Sequence, residues 1–341
     1  MGFKVETGFG YTTDFSSVGK IAQQAEAMGY DTIHSSETRN DPFLPLVLVA
    51  EYTEKIKLST AVAIAFPRSP FVTAMMAWDL QRYSNGRFVL GLGTQVKPHI
   101  ERRFSMEWTA PAPRIREYIQ TLRAIWDTFQ NNTKPGYRGE HYQFTLINPV
   151  FNPGPIEHPY IPVQLAAVNP VNASVAGEVA DGINLHPFNT MSYAKAQLLP
   201  AVQKGLDKSG RNRENFVVWG GGFLATGKNE EEIQKALFQV KNSIGFYGST
   251  PTYKPVLEHH GWNDLAEELH KLSISNGWAK MPEIIPDEVV NEFCVIATYD
   301  DVAAKLRERY EGVVDCIDFA GYTQMISDQD VVQQIINDLK K

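Results

Sequence analysis

Residues Phe88 to Pro98 read "FVLGLGTQVKP", and how this stretch is taken decides the fold. An apolar run ends in Gly91-Leu92-Gly93, as at the start of a dinucleotide-binding loop. The dinucleotide fingerprint needs a third glycine three residues later, on the first turn of a helix. That position is Val96, followed by Lys97 and Pro98. Pro98 reads as a loop marker rather than a helix start, so the phosphate-loop reading loses its last support. What remains is a short buried strand that ends in a glycine and delivers Thr94 and Gln95 just past its end.

The same rhythm extends on both sides. "KVETGF", "DTIHSS", "IKLSTAVAIA" and "RFVLGLG" are strand-like, and helical stretches separate them. In "SSVGKIAQQAEAMGY", Val18, Ile21, Ala22, Ala25 and Met28 share one helical face, and Gly29 stands where a C-terminal glycine belongs. After the fourth strand the helix is delayed until Pro113; Ile115, Tyr118, Ile119, Leu122, Trp126 and Phe129 form its apolar stripe. Further strands are expected at Pro162–Ala166, at Gly182–Leu185, in "NFVVWGGGFLAT" and in "VVDCIDFAG". Asn169-Pro170 reads as a capped helix start, and Asn229 with Glu232 as another.

Eight short β-branched strands alternating with helices predict a parallel sheet covered on both faces. A single (β/α)8 TIM barrel over residues 1–341 is the leading expectation, with insertions near 132–160 and 250–293; an open doubly wound sheet is the alternative. The first insertion reads as a hairpin over the barrel mouth, as an active-site wall or as a packed surface element.

Composition narrows the function. The 341 residues carry a net charge of −7, which argues against a nucleic-acid surface. No long uncharged apolar segment suggests a membrane span, and the N-terminus lacks the apolar core of a signal peptide, so a cytoplasmic setting is expected. Cys294 and Cys316, the two cysteines, both lie in apolar runs and read as small buried hydrophobes.

In a barrel the site lies at the C-terminal ends of the strands. Residues there include Gly10 and Tyr11, His34 to Glu37, "AIAFPRSP", Gly93 to Gln95, Ala167 to Asn169, and His186 with Pro187. This set is polar, lightly charged and flanked by aromatics, which suits a flat, partly apolar ligand. His34, Glu37, His99 and His186 have no tight metal-ligand spacing, so no metal is expected; His34 reads as a satisfied polar group at a strand end. There is no G-x-S-x-G elbow, and neither cysteine has a histidine close by in sequence. A cofactor is left to carry the chemistry.

Three segments carry a resemblance. "LSTAVAIAFPRSPFVTAMMAWDLQRYSNGRFVLGLGTQV", "VQLAAVNPVNASVAGEVADGINLHPF" and "FCVIATYDDVAAKLRERYEGVVDCIDF" resemble, in order, segments of the bacterial luciferase-like family (LLM class) of flavin and deazaflavin oxidoreductases. "DPFLPL", "HIERRF" and "AAVNP" resemble its F420-dependent branch. The resemblance implies a TIM barrel with cofactor F420 at its mouth and a non-proline cis peptide in strand three, at or near Ala61-Val62. It places Ser36, Ala61, Val62, Thr94, Gln95, Ala167, Val168, Asn169 and His186 against the cofactor. Where some members carry Asp-His at the end of strand two, this chain has Ser36-Glu37. Glu37 in an apolar, ring-covered pocket is then the first candidate for moving the proton that accompanies hydride transfer, with His186 and His99 behind it; the alternative is that Glu37 only orients its loop. Arg102 and Arg103 would attract the acidic tail of F420 or form a solvated face. The expected activity is hydride transfer between a small organic substrate and C5 of the deazaflavin. An FMN-dependent luciferase-like monooxygenase, a flavin-binding protein without turnover and a metal-dependent hydrolase are the alternatives. A homodimer through the early helices, where "DPFLPLVLVAEY" lies, is also implied.

Overall fold

Every barrel strand finds two parallel neighbours, so the sheet closes and the open-sheet alternative is excluded. In the computed structural model, which describes residues 2–10, 13–319, 326 and 328–341, the strands are β1 (Lys4–Gly8), β2 (Thr32–Ser35), β3 (Lys57–Thr60), β4 (Phe88–Gly93), β5 (Val163–Ala167), β6 (Gly182–Leu185), β7 (Val217–Gly220) and β8 (Cys316–Asp318). Each pairs with the next in chain order, and β8 returns to β1 in the register Glu6 opposite Asp318. Tyr11 lies outside the described residues.

Helices cover the outside. In α1 (Val18–Ala27), Val18, Ala22 and Ala25 are buried, and Gly29 follows in the left-handed region at φ +82°. Next come α2 (Leu44–Tyr52), α3 (Pro70–Tyr83), α4 (Pro111–Asn131) and α5 (Pro170–Val179). The whole apolar stripe expected on α4 is buried, although the helix starts at Pro111 rather than Pro113. Cys294 and Cys316 are buried and unpaired. No helix among the described residues is long and apolar enough to cross a membrane.

The structure corrects three elements. "NFVVWGGGFLAT" is two strands: β7 ends at Gly220, and Phe223–Gly227 pairs outside the barrel with Cys294–Thr298, a strand the sequence reading lacked. The chain after Gln95 is helical from Lys97 to Arg103, so Pro98 does not mark a plain loop; in a first turn its missing N–H costs nothing. The insertion before Cys294 is a set of short helices. The hairpin, Tyr137–Arg138 against Gln143–Phe144, packs on α3 and α4: Phe144 meets Phe71, and Glu117 of α4 accepts the amides of Glu140, His141 and Tyr142.

The glycines of β4 answer the question that "FVLGLG" raises. A Cβ on Gly91 would lie 1.8 Å from the Thr60 carbonyl oxygen, and one on Gly93 2.7 Å from Val62 Cγ2. Thr60 Oγ1 donates to the Gly91 carbonyl at 2.7 Å and accepts from the Gly91 amide at 2.9 Å. The two glycines let β4 press against the end of β3.

Below the mouth the barrel interior is polar. Side chains alternate along a strand, and Glu6 (β1), His34 (β2) and Asp318 (β8) fall on inward positions. His34 Nδ1 and Glu6 Oε1 are 2.7 Å apart and buried. Burial alone would lower the His34 pKa, but Asp318 and Glu6 outweigh it and push it up to about 9. Burial likewise raises the Glu6 carboxyl, against the pull of His34. Both shifts mean that the folded pair keeps a proton the unfolded chain would release.

Two expectations follow from this architecture. Gly91→Ala should cost about 3 kcal/mol or more in urea unfolding, because the clash is with backbone, whereas Gly93→Ala, opposed by a movable side chain, should cost about 1 kcal/mol. Equal costs would contradict the close approach. The raised His34 pKa stabilises the fold fully below its ordinary value of 6.5, and this contribution is lost as pH rises through about 9. The urea midpoint should therefore fall over that window by the equivalent of a few kcal/mol, on the order of the shift itself. His34→Gln should flatten the profile; an unchanged slope would exclude His34 as the titrating group.

Candidate active site

The segments that follow β2 to β6 at the strand C-termini build the candidate site. Beyond β3 the chain bulges, and the Ala61–Val62 peptide is cis, at the expected position. Short pairing with β4 then resumes at Ala63–Ile64. The loop after β2 braces this bulge. Ser36 Oγ donates to the Ala61 carbonyl at 2.8 Å, and the Glu37 amide to the Val62 carbonyl at 3.2 Å. Glu37 Oε2 accepts from the Ile64 amide at 2.8 Å and from Arg68 Nη1 at 2.7 Å, while Arg68 Nη2 reaches Asp41 at 2.9 Å.

Glu37 therefore does not sit in an apolar pocket. Its side chain is only 7% exposed, but a guanidinium meets it. The sequence reading named Glu37 without a partner, because Arg68 lies 31 positions away in "FPRSP" and only the bulge brings the two together.

On the β4 side, Thr94 and Gln95 are half-buried, and Gln95 adopts φ +59° with its Oε1 accepting from the Val96 amide. His99, Arg102 and Arg103 are exposed on the following helical turns, where Arg103 donates to the Thr38 carbonyl at 2.9 Å. This bond ties the β4 loop to the β2 loop.

On the β5 side, Ala167 is buried and Val168 and Asn169 are half-buried. Asn169 caps α5 as expected: its side chain accepts from the Asn172 amide at 2.9 Å and its carbonyl from the Ala173 amide at 3.1 Å. Those two amides are spent on the cap, so fewer helix-terminal donors face the mouth than the sequence suggested. The Val171 amide is left at the tip.

His186, the first residue after β6, has both ring nitrogens engaged. Nδ1 accepts from the Phe188 amide at 3.0 Å, and Nε2 lies 3.2 Å from Tyr253 Oη. Burial pushes its pKa down to about 4, so the ring is neutral at physiological pH.

His34, Glu37, His99 and His186 thus occupy separate settings and form no common ligand set among the described residues. Glu117, Glu140 and His141 do approach one another, but where the hairpin meets α4, and Glu117 there already serves three amides. The sequence reading missed Glu6 and Asp318, and it placed Arg68 at the mouth within "AIAFPRSP" without its pairing to Glu37. An acid at an inward position of "KVETG" was a usable signal for Glu6; nothing local marks Asp318 or the Arg68 pairing.

The family model for luciferase-like monooxygenase matches residues 2–316. An uncharacterized protein of Mycobacterium tuberculosis, Rv1360, is 44% identical over 308 residues, covering 89% of this chain and 91% of its own. A putative coenzyme F420-dependent oxidoreductase of the same organism, Rv3520c, is 27% identical over 330 residues, covering 91% and 92%. Among solved structures, the coenzyme F420 dependent tetrahydromethanopterin reductase from Methanopyrus kandleri superposes with a TM-score of 0.77 at 18% identity, covering 100% of this chain and 98% of its own. The oxygenating constituent of 3,6-diketocamphane monooxygenase from Pseudomonas putida, in complex with FMN, superposes at 0.68 and 16% identity, covering 100% and 97%. The two structural likenesses speak for the barrel alone, but the family match spans nearly the whole chain, and this protein belongs to the luciferase-like monooxygenase family.

Proposed function

We propose that the protein is an F420-dependent oxidoreductase that passes a hydride between a small organic substrate and C5 of the deazaflavin, bound at the barrel mouth. The observation that carries this reading is the donor set of the mouth. Small or uncharged groups at Ser36, Ala61, Val62, Thr94 and Gln95 suit the face and edge of a flat ring. Ala167, Val168 and Asn169 lead to the α5 tip and its Val171 amide, which suit a phosphate. The exposed Arg102 and Arg103 suit an acidic tail. These residues fit F420, and a relative named for F420 supports the same choice. FMN shares the ring and the phosphate but has no acidic tail for the arginines to meet.

F420, when bound, supplies a two-electron hydride carrier at its C5. The chain's own part is to hold, orient and shield. Glu37 acts as a positioning residue: through Arg68 and the Ile64 amide it holds the bulge whose Ala61–Val62 edge would back the ring. His186 closes the mouth on the β6 side as a neutral ring that would meet the cofactor, and it is the half-buried candidate for handling the proton. His99, out on the rim, can exchange protons with solvent.

The exposed apolar side chains of α2 and α3, among them Leu44, Val47, Tyr52, Val72, Met75 and Tyr83, belong in this reading to a homodimer interface.

Titration of the purified protein with F420 and with FMN tests the cofactor. F420 should bind in the micromolar range or tighter. Glu37→Gln should weaken F420 binding about tenfold through displacement of the bulge, with little loss of thermal stability because Asp41 still holds Arg68. Micromolar FMN binding without F420 binding would exclude the F420 reading, and unchanged F420 affinity in Glu37→Gln would remove the positioning role. Sedimentation should give twice the 38.3 kDa chain mass, and Leu44→Glu combined with Val47→Glu should give the monomer. A wild-type monomer would rule the interface out.

A further inference from the structure

The end of the barrel opposite the mouth carries an open groove of about 620 Å³. The last turns of α4 and α5 bound it, together with the segments that enter β5, β6 and β7. Asp181, just before β6, lies at its base with a side chain 14% exposed. One of its oxygens accepts from the Val163 amide at 2.7 Å and from Arg123. The other accepts from the Tyr160 hydroxyl at 2.5 Å and from Arg211 Nη2 at 3.4 Å. One carboxylate therefore holds two guanidiniums.

The same imbalance recurs beside it. Glu178, near the end of α5, pairs with Arg116 at 3.0 Å and with Lys208 at 2.8 Å. Four cations thus meet two carboxylates. Asp127, exposed on the rim and bonded to Asn131 and Thr133, offsets only part of the difference. The groove keeps a positive excess in a chain whose net charge is −7.

Neither guanidinium in the groove is used up. Arg123 donates to the Ile161 carbonyl and to Asp181, and Arg211 to the Ala180 carbonyl and to Asp181. A guanidinium has about five N–H groups to give, so each arginine keeps donors without a protein partner among the described residues. Both side chains reach solvent. Tyr160 lines the groove and is 62% exposed; Arg123 lies 5.4 Å from its ring centre on one side, which leaves the other face open. Asn215 adds an uncharged amide on the β7 side.

We propose that this groove binds a phosphate monoester that carries a flat ring, with the phosphate against Arg123 and Arg211 and the ring on Tyr160. A phosphate has three acceptor oxygens for two guanidinium forks, whereas a carboxylate would only repeat what Asp181 already does. An aromatic face in solvent suits a second ring. The four acceptor positions of Asp181 are filled and the Tyr160 hydroxyl is committed to it, so the groove holds its ligand and supplies no base to transform it. The ten residues of α5, about 15 Å of helix, separate the groove from the mouth. A molecule bound there is an effector and not the substrate of the barrel.

Phenyl phosphate and inorganic phosphate are titrated into the ¹⁵N-labelled protein without cofactor, so the outcome does not depend on the F420 reading. Phenyl phosphate should bind with a Kd below about 1 mM and move the Asn215 side-chain amide. Inorganic phosphate should bind about tenfold more weakly, for want of the ring contact. Tyr160→Leu should bring the two probes close to equal affinity. Asn215→Asp leaves every ion pair of the groove in place, so the fold is not at issue, and its added charge should weaken both probes about fivefold. Arg211→Gln should weaken both by about tenfold or more. No binding of phenyl phosphate by the wild type would overturn the proposal. So would shifts confined to the Val171 amide and the mouth, equal wild-type affinities for the two probes, or affinities unchanged in Asn215→Asp.

Discussion

The mouth of this barrel depends on how closely β4 can approach the end of β3. Thr60 and Gly91 share two hydrogen bonds through one side-chain oxygen, and Gly91 has no room for even a methyl group. Gly93 makes the same allowance for Val62. Because β4 sits this close, the bulge at Ala61–Val62 is enclosed between β4 and the loop after β2. Ser36 and Glu37 then fasten it from the other side. The loop after β2 and the end of β4 meet around that fastened bulge.

Carboxylates near the barrel axis play two parts, set by their surroundings. Glu6 is buried with His34 beside Asp318, and the pair keeps a proton as part of the folded core. Glu37 follows His34 by three residues, beyond the end of β2, and meets the permanent cation of Arg68. One acid shares a proton below the mouth and the other braces it. His34 and His186 show the same divergence: carboxylates hold the first charged, and burial among aromatic rings holds the second neutral. Residue type alone would have ranked each pair as equivalent.

Much of the fold was legible in the chain because its signals are local. Strand periodicity, the stripe on α4, the Asn169-Pro170 cap and the glycine after α1 each depend on residues within a few positions of one another. The strand Cys294–Thr298 was hidden because its partner, Phe223–Gly227, is some seventy residues earlier and the pair lies outside the barrel rhythm. Pro98 misled for a related reason. A proline is as compatible with the first turn of a helix as with a loop, and the choice between them lay with the Val96 carbonyl, which accepts the amides of His99 and Ile100.

By itself the sequence determined short strands alternating with helices and the residues that follow each strand, since alternation and capping are properties of neighbouring residues; closure into a barrel was decided by the pairing of β8 with β1. Tertiary structure alone decided what those positions do. Arg68 claims Glu37 across a bulge, Glu6 and Asp318 charge His34 across the barrel, and Tyr253 arrives at His186 from an insertion sixty-seven residues on. A side chain's charge and hydrogen-bonding direction are set by whatever lies within a few ångströms of it, and in a closed barrel those neighbours come from distant parts of the chain.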